Sequence, residues 1–211
     1  CCPGHPLLDA LVQVVVSRFG GLLQEGTVLI DDADSGCEPR LLVYLEDKIQ
    51  DATTTPDGKR RVVYEAMKFA EVWADGRAVE AGHAPYLDYR APSEDERRAL
   101  VPALVQQAWL AAGKAEDVAT ELAVSRIVPE DLRVQRTVRQ ARVEKTRRNV
   151  VRRLDAEIRY WDAKAAECEQ KERAGKTARI TSAYARSRAD GLMARKQDRL
   201  ARLEKEERLT P

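Results

Sequence analysis

The sequence has no run of about eighteen apolar residues, the length that an α-helix needs to cross the hydrocarbon core of a membrane. It begins Cys-Cys-Pro-Gly-His, without the basic and then apolar layout of a signal peptide. We therefore expect neither a membrane protein nor a membrane partner. Because an initiator Met is missing, we also expect the chain to be a piece of a longer protein.

Cysteines are few and irregularly placed. The four, at positions 1, 2, 37 and 168, form no Cys-x-x-Cys pair and no regular disulfide framework. Their pattern predicts a reduced, cytoplasmic setting. Cys1, Cys2 and His5 would supply three zinc ligands, but no fourth ligand follows nearby. We favour a disordered or trimmed terminus over a zinc site.

Catalytic signatures are missing as well. No nucleophile accompanies a plausible His, and no Gly-rich loop follows a strand. Gly175-Lys176-Thr177 matches the end of a phosphate-binding loop, but Gln170 stands where that loop needs its first glycine. We interpret it as a turn. We expect no catalytic, cofactor-binding or metal-binding residues in this chain.

Charge, in contrast, is abundant and unevenly distributed. Charged residues make up 34% of the chain, and the formal net charge is +1. From Pro129 onward the sequence has 23 Lys and Arg and 14 Asp and Glu. The part before Pro129 has 13 Lys and Arg and 21 Asp and Glu. A basic C-terminal part favours contact with nucleic acid or an acidic protein surface, although long solvated helices are also rich in Arg.

Residues 128–211 predict a long, projecting antiparallel helical hairpin, a coiled coil with a turn at residues 174–177. Apolar residues recur at steps of three and four in both segments, which places them on one stripe of each helix. The first stripe contains Val150, Leu154, Ile158, Trp161, Ala165 and Cys168, and the second contains Ala185, Ala189, Leu192, Leu200 and Leu203. Acid-then-base pairs four residues apart, such as Glu167 with Lys171 and Asp155 with Arg159, would stabilise the exposed faces.

The preceding part predicts a small antiparallel sheet with packed helices, so that the whole chain is α+β. Residues 1–91 would form a small α/β body with a helix over 6–19 and strands over 26–31, 40–50 and 61–73. Residues 92–127 would be connecting helices, the first beginning at the capping box Ser93-Glu94-Asp95-Glu96 and interrupted or continued at Pro102. A separate helix over 115–126 would precede the hairpin.

One basic stripe is the best binding signal in the sequence. Its steps of three and four follow the first hairpin helix, and its members are Arg133, Arg136, Arg139, Arg142, Lys145, Arg148 and Arg152. The stripe has no aromatic residues between its cations. The first aromatic residues after it are Tyr160 and Trp161. The stripe therefore suits backbone phosphates or an acidic protein surface rather than stacking of bases.

Several segments resemble one known family. They are GHPLLDALVQVVVSRFG, GTVLID, RLLVYLEDKI, APYLDYR, EKTRRNVVRRLDAEIRYWDAKAAECEQKERAGK and TSAYARSRADGLMARKQDRLARLEKEERLTP. Together they are similar to the C-terminal accessory region of bacterial Swi/Snf-type helicases. The order of elements resembles both the ATPases that recycle RNA polymerase and, more closely, the phage-defence type.

The resemblance implies a non-catalytic region of an ATP-dependent DNA helicase or translocase, a hydrolase whose motor lobes lie upstream and bind ATP and Mg. It also implies another strand beyond Pro211 that returns to the sheet. Partners would be the motor lobes, duplex DNA, or a protein such as RNA polymerase or a defence-system subunit. Two alternatives stay open, namely a coiled-coil interaction module of another cytoplasmic assembly and a nucleic-acid-binding module that acts alone.

Overall fold

The computed structural model describes residues 5–24, 26–36, 38–111, 113–177 and 179–211. The fold is mixed α+β, as predicted, and 60% helical. In chain order the elements are α1 (Pro6–Phe19), β1 (Arg40–Thr54), β2 (Arg60–Trp73), β3 (Ala78–Glu80), α2 (Glu94–Val105), α3 (Ala108–Ala111), α4 (Lys114–Leu122), α5 (Val128–Arg173), α6 (Ser182–Glu207) and β4 (Leu209–Thr210). Short 3₁₀ turns cover Gly20–Gln24 and Pro85–Leu87, and one π turn covers Ala123–Ile127.

A four-stranded antiparallel sheet with the order β3-β2-β1-β4 forms the centre of the body. Its two long strands are joined by a tight turn, in which Gly58 has a φ of 80° and donates its N–H to the Thr55 carbonyl at 2.9 Å. A positive φ suits glycine because it has no Cβ to clash with the backbone. The antiparallel arrangement that the sequence predicted for the sheet is confirmed for these two strands. The predicted strand over 61–73 corresponds to β2, and the one over 40–50 to the longer β1.

The strand predicted for residues 26–31 is wrong. Only Ile30 pairs, through two N–H···O bonds of 2.9 Å with Arg90 in an isolated bridge. Asp31, directly after it, binds the Arg40 guanidinium instead of continuing a ladder. A short apolar run becomes a strand only where a neighbouring strand offers a row of backbone partners.

The core of the body lies between the sheet and α4. Ala115 and Ala119 of α4 are buried against Ala70 and Val72 of β2, with Trp109 packed at the edge of the cluster. Small side chains allow the helix backbone to approach the sheet closely. This contact fixes the position of α4, from which the long helix continues.

The chain does not end one helix before Pro129 and begin another, as the sequence suggested. The segments α4, the π turn and α5 follow one another as 60 residues of continuous helix. Pro129 lacks an N–H, and its ring would clash with the Ser125 carbonyl four residues earlier. The wider π turn directly before Pro129 accommodates both effects. Pro102 likewise lies inside α2, which ends at Val105.

Helices α5 and α6 pack against each other along the stripes that the sequence predicted. Leu154 and Ile158 of α5 are 2% and 8% exposed, and they cluster with Leu192 of α6. Ala185 and Ala189 of α6 are also buried. Of the predicted pairs four apart, Glu167 binds Lys171 at 2.5 Å, whereas Asp155 binds Lys196 across the two helices at 2.6 Å.

The predicted helix over 6–19 is confirmed as α1, but its expected apolar contact is not found in the described part of the chain. None of its residues is buried, and Leu11, Val12 and Phe19 are more than half exposed. His5 caps this helix, because its Nδ1 accepts the Leu7 N–H at 3.2 Å. The zinc alternative, which needs Cys1 and Cys2, lies outside the described residues.

Candidate functional site

The seven predicted cations do not share one face of α5. Successive residues of an α-helix turn by about 100°, so Arg142, Lys145, Arg148 and Arg152 fall within an arc of about 120°. The buried Leu154 lies on the opposite side of the helix. We call these four residues the basic face. Arg133, Arg136 and Arg139 point in other directions.

All four side chains of the basic face are exposed. Lys145, Arg148 and Arg152 line one shallow depression together with Asn149. Arg148 has a single long ion pair, from its Nε to the Glu144 carboxylate at 3.7 Å, while the other three have none among the described residues. The face spans about 15 Å along the helix. Four cations with one distant acid make a local positive field that favours an anionic surface.

Arg133 and Arg136 are less suited to this role. The Arg133 guanidinium binds the Glu130 carboxylate at 2.6 Å, in the first turn of α5. This pairing lowers the pKa of Glu130 and neutralises most of the charge of Arg133. Arg136 is exposed, but it lies about 120° or more from every member of the basic face.

Arg139 binds the body of the protein instead of facing solvent. Its Nη2 lies 2.7 Å from Oδ2 of Asp51, a β1 residue that is 0% exposed, and its Nε donates to the Glu206 carbonyl at 2.8 Å. Arg61 of β2 also binds Asp51, and the Thr53 N–H donates to it at 2.9 Å. This Asp51 cluster joins the sheet to both long helices. No sequence signal reveals it, because Asp51 and Arg139 are far apart in the chain.

The same cluster lies where the chain returns to the sheet. Directly after α6, Leu209 and Thr210 pair with Asp51 and Gln50 as the edge strand β4. Leu209 is 6% exposed, and the Thr210 hydroxyl accepts from Arg60 at 3.1 Å. Within the described residues the chain therefore returns to the sheet at Leu209, and the further strand that the resemblance implies beyond Pro211 stays a prediction.

An aromatic cluster lies further along the long helices. Trp161 of α5 packs edge-on against Tyr160 and against Tyr184 of α6, and the Arg188 guanidinium lies 5.7 Å from the Trp161 ring centre. Tyr160 and Tyr184 are 61% and 52% exposed. The sequence points to Tyr160 and Trp161, but the contribution of Tyr184 depends on how the two helices pack.

Gly175-Lys176-Thr177 follows the end of α5 in a tight turn. Gly175 has a φ of 68°, its N–H donates to Glu172 at 3.0 Å, and the Lys176 N–H donates to the Lys171 carbonyl at 2.9 Å. This is the Schellman arrangement of hydrogen bonds that ends many helices. Because these N–H groups bind helix carbonyls, they do not converge on a phosphate. The turn therefore does not fit a nucleotide.

No family model, curated protein or solved structure matches this chain. None of the helices within the described ranges is both long and apolar enough to span a membrane. Among the residues with a described position, no three His, Cys, Asp or Glu side chains come together as a metal site. The basic face, the Asp51 cluster and the aromatic cluster are therefore interpreted from their geometry alone.

Proposed function

We propose that the chain is a non-catalytic accessory region of an ATP-dependent DNA helicase or translocase of the Swi/Snf type, and that its basic face binds the phosphate backbone of duplex DNA. In this proposal α5 and α6 form a projecting antiparallel hairpin of the coiled-coil type. ATP and Mg would bind to motor lobes elsewhere in the parent protein, and the whole would act in the cytoplasm.

The observation that supports DNA contact most directly is the exposure of four cations on one face, with a single acid 3.7 Å from one of them. Several other cations of the long helices have close acidic partners, as Lys171 does with Glu167 and Arg173 does with Glu169. A phosphate backbone offers a row of negative charges to such a face without any demand on base sequence.

The decisive measurement is the salt dependence of affinity for a duplex DNA, followed by fluorescence anisotropy. Phosphate contacts release counterions, so the logarithm of the association constant should fall with the logarithm of salt by roughly 0.9 per contact. The fourfold variant Arg142→Ala, Lys145→Ala, Arg148→Ala, Arg152→Ala should bind much more weakly. Its slope should be smaller by roughly one for each contact removed.

A charge-matched control replaces four cations that already have acidic partners, namely Arg133, Lys171, Arg173 and Arg186, with Ala. It should keep most of the affinity. No binding at low salt, or an equal loss in both variants, would contradict DNA contact by the basic face. A pull-down with the motor lobes would then test whether these cations bind protein instead.

The aromatic cluster favours a second candidate function, an interaction module for a protein partner. Two exposed Tyr side chains beside a partly buried Trp and an Arg are of the residue types that contribute most to protein–protein affinity. A partner protein would bind this cluster while DNA binds the basic face. Trp161→Ala should then weaken capture of the partner without changing the salt slope for DNA.

A further inference from the structure

A pocket of about 200 Å³ lies between the sheet and the beginning of the long helix. Its lining is mainly apolar on the helix side and charged on the sheet side. The residues used below are Leu45, Asp47, Lys68, Ala123, Ile127 and Val128. No part of the proposed DNA contact involves them.

The pocket exists because the helix changes its geometry here. Ala123, Ile127 and Val128 belong to the π turn and to the first residue after it. A π turn is wider than an α-helical turn, and π turns inside long helices are often found at functional sites. The irregularity required by Pro129 therefore leaves space beside β1 and β2.

Asp47 of β1 lines this pocket, and one of its two carboxyl oxygens has no donor in the part of the chain that the structure describes. The residue is 6% exposed, and among the described residues no N–H or O–H group donates to its Oδ2. Its acidic neighbour is Asp131 of α5, a group that can pair with Asp47 only by sharing a proton. Burying a carboxylate oxygen without a donor is costly, so Asp47 would be stabilised by a ligand that donates to it.

Two donors near Asp47, the Lys68 ammonium group and the Tyr64 hydroxyl, bind Asp131 instead. Lys68 Nζ lies 2.8 Å from Asp131 Oδ2, and the Tyr64 hydroxyl donates to the same oxygen at 3.0 Å. Lys68 is also 3.5 Å from Glu80. Three carboxyl groups, those of Asp47, Asp131 and Glu80, thus surround one ammonium group, so the site lacks positive charge.

We propose that the pocket binds an alkylguanidinium group, with the guanidinium donating to Asp47 and its aliphatic stem lying along Leu45, Ile127 and Val128. A guanidinium presents several N–H donors in a plane and is weakly hydrated, so it enters a partly buried site more readily than an ammonium group. The group is supplied either by a free small molecule or by an arginine side chain of a partner protein.

The affinity should depend on pH. Burial raises the pKa of Asp47, the proximity of Asp131 raises it further, and Lys68 partly opposes them. The ligand needs the ionised carboxylate, so binding should strengthen as pH rises through this raised pKa and should release a proton. The other groups facing the site are Asp131, whose pKa is lowered, Lys68, whose pKa is raised, Tyr64 and the exposed Glu46.

The experiment is a calorimetric or NMR titration with n-butylguanidinium, compared with n-butylurea as an uncharged probe of the same shape. Eight ligand atoms in such a pocket suggest a dissociation constant of about 1 mM for the cation. Butylurea should bind at least tenfold more weakly. Asp47→Asn should lower the affinity for the cation at least tenfold, while Glu46→Gln, on the exposed rim of the pocket, should leave it within about threefold.

Asp47→Asn is expected to fold, because it resembles the protonated acid that burial already favours. Its thermal melting at pH 7 checks this directly.

A short peptide with a central arginine separates the two sources of the guanidinium group. Equal binding of the peptide indicates a side chain from a partner, and binding of butylguanidinium alone indicates a small molecule. Absence of binding by both, or binding that Asp47→Asn does not change, would overturn the proposal.

Discussion

Asp47 and Asp51 lie four residues apart on β1 and have opposite environments. Both are almost inaccessible to water. Burial raises the pKa of both, but at Asp51 the hydrogen bonds from Arg61 and Thr53 outweigh it and the net pKa is lowered. At Asp47 burial and the neighbouring Asp131 outweigh the attraction of Lys68, and the net pKa is raised. Asp51 therefore stabilises the fold as a carboxylate, whereas the surroundings of Asp47 favour its protonated, neutral form.

Replacing Asp51 should be among the most damaging single changes at the root of α5. Asp51→Asn leaves the half-buried Arg139 without its carboxylate, so it should lower the free energy of unfolding at pH 7 by about 3 kcal/mol in urea melts. A folded pKa below the unfolded value near 3.9 gives stability that is present at neutral pH and is lost as pH falls through the folded pKa.

The difference between wild type and Asp51→Asn should accordingly be largest above about pH 5 and should shrink on acidification below about pH 4. Asp162→Asn, at an exposed position of α5, is the matched control and should cost less than about 0.5 kcal/mol. A cost for Asp51→Asn that is equally small, or that does not change with pH, would show that the ion cluster contributes little.

At the scale of elements, the interface between α5 and α6 depends on its apolar seam. Leu154→Asp or Ile158→Asp places an unpaired charge in a contact that is less than 10% exposed, and each should cost several kcal/mol. Denaturant melts followed by circular dichroism measure this cost. Glu157→Gln is the control, because Glu157 is exposed and its pair with Arg153 is 3.7 Å long. Glu169 is a poorer control, since it binds both Arg173 and Arg186.

The turn after α5 should be inert towards nucleotides. Its N–H groups end the helix, so ATP with Mg should not raise the melting temperature of the chain, and Lys176→Ala should leave folding almost unchanged. Differential scanning fluorimetry checks both statements. A nucleotide-dependent rise that Lys176→Ala abolishes would mean that the turn does bind phosphate.

These elements differ in how far the sequence could predict them. The seam of Leu154, Ile158 and Leu192 was predictable because its period is local and extends over many turns. The capping box at Ser93 was predictable for the same reason, and both of its hydrogen bonds are present. The two residues of β4 carry too little pattern to be found, and the strand over 26–31 failed because its pairing partner could not be known.

The candidate site shows the same limit at the level of one side chain. A basic stripe with steps of three and four is visible in the sequence, but burial and pairing divide it. Arg139 forms an ion pair with Asp51 of β1, which is 88 residues away in the chain. Arg133 forms an ion pair with Glu130. Only tertiary structure can separate such cations from the four that share one exposed face.

At the scale of the whole molecule, the charge asymmetry is partly neutralised inside the fold. Asp51 of β1 binds Arg139 of α5, so the acidic body and the basic helices attract each other at the root. The basic face stays exposed to an external partner. A net charge of +1 therefore understates how strongly this surface would respond to DNA and to salt.

The unbroken helix from α4 to the Gly175 turn has a mechanical consequence. One end is held in the core by Ala115 and Ala119, and the 46-residue α5 extends for about 69 Å beyond the π turn. The Asp51 cluster holds this rod again at Arg139, so about 51 Å of α5 lies beyond that attachment. A tilt of about 5° about Arg139 would move the far end by about 4 Å. A load applied near Gly175 would thus act as a torque on the ion pair between Arg139 and Asp51.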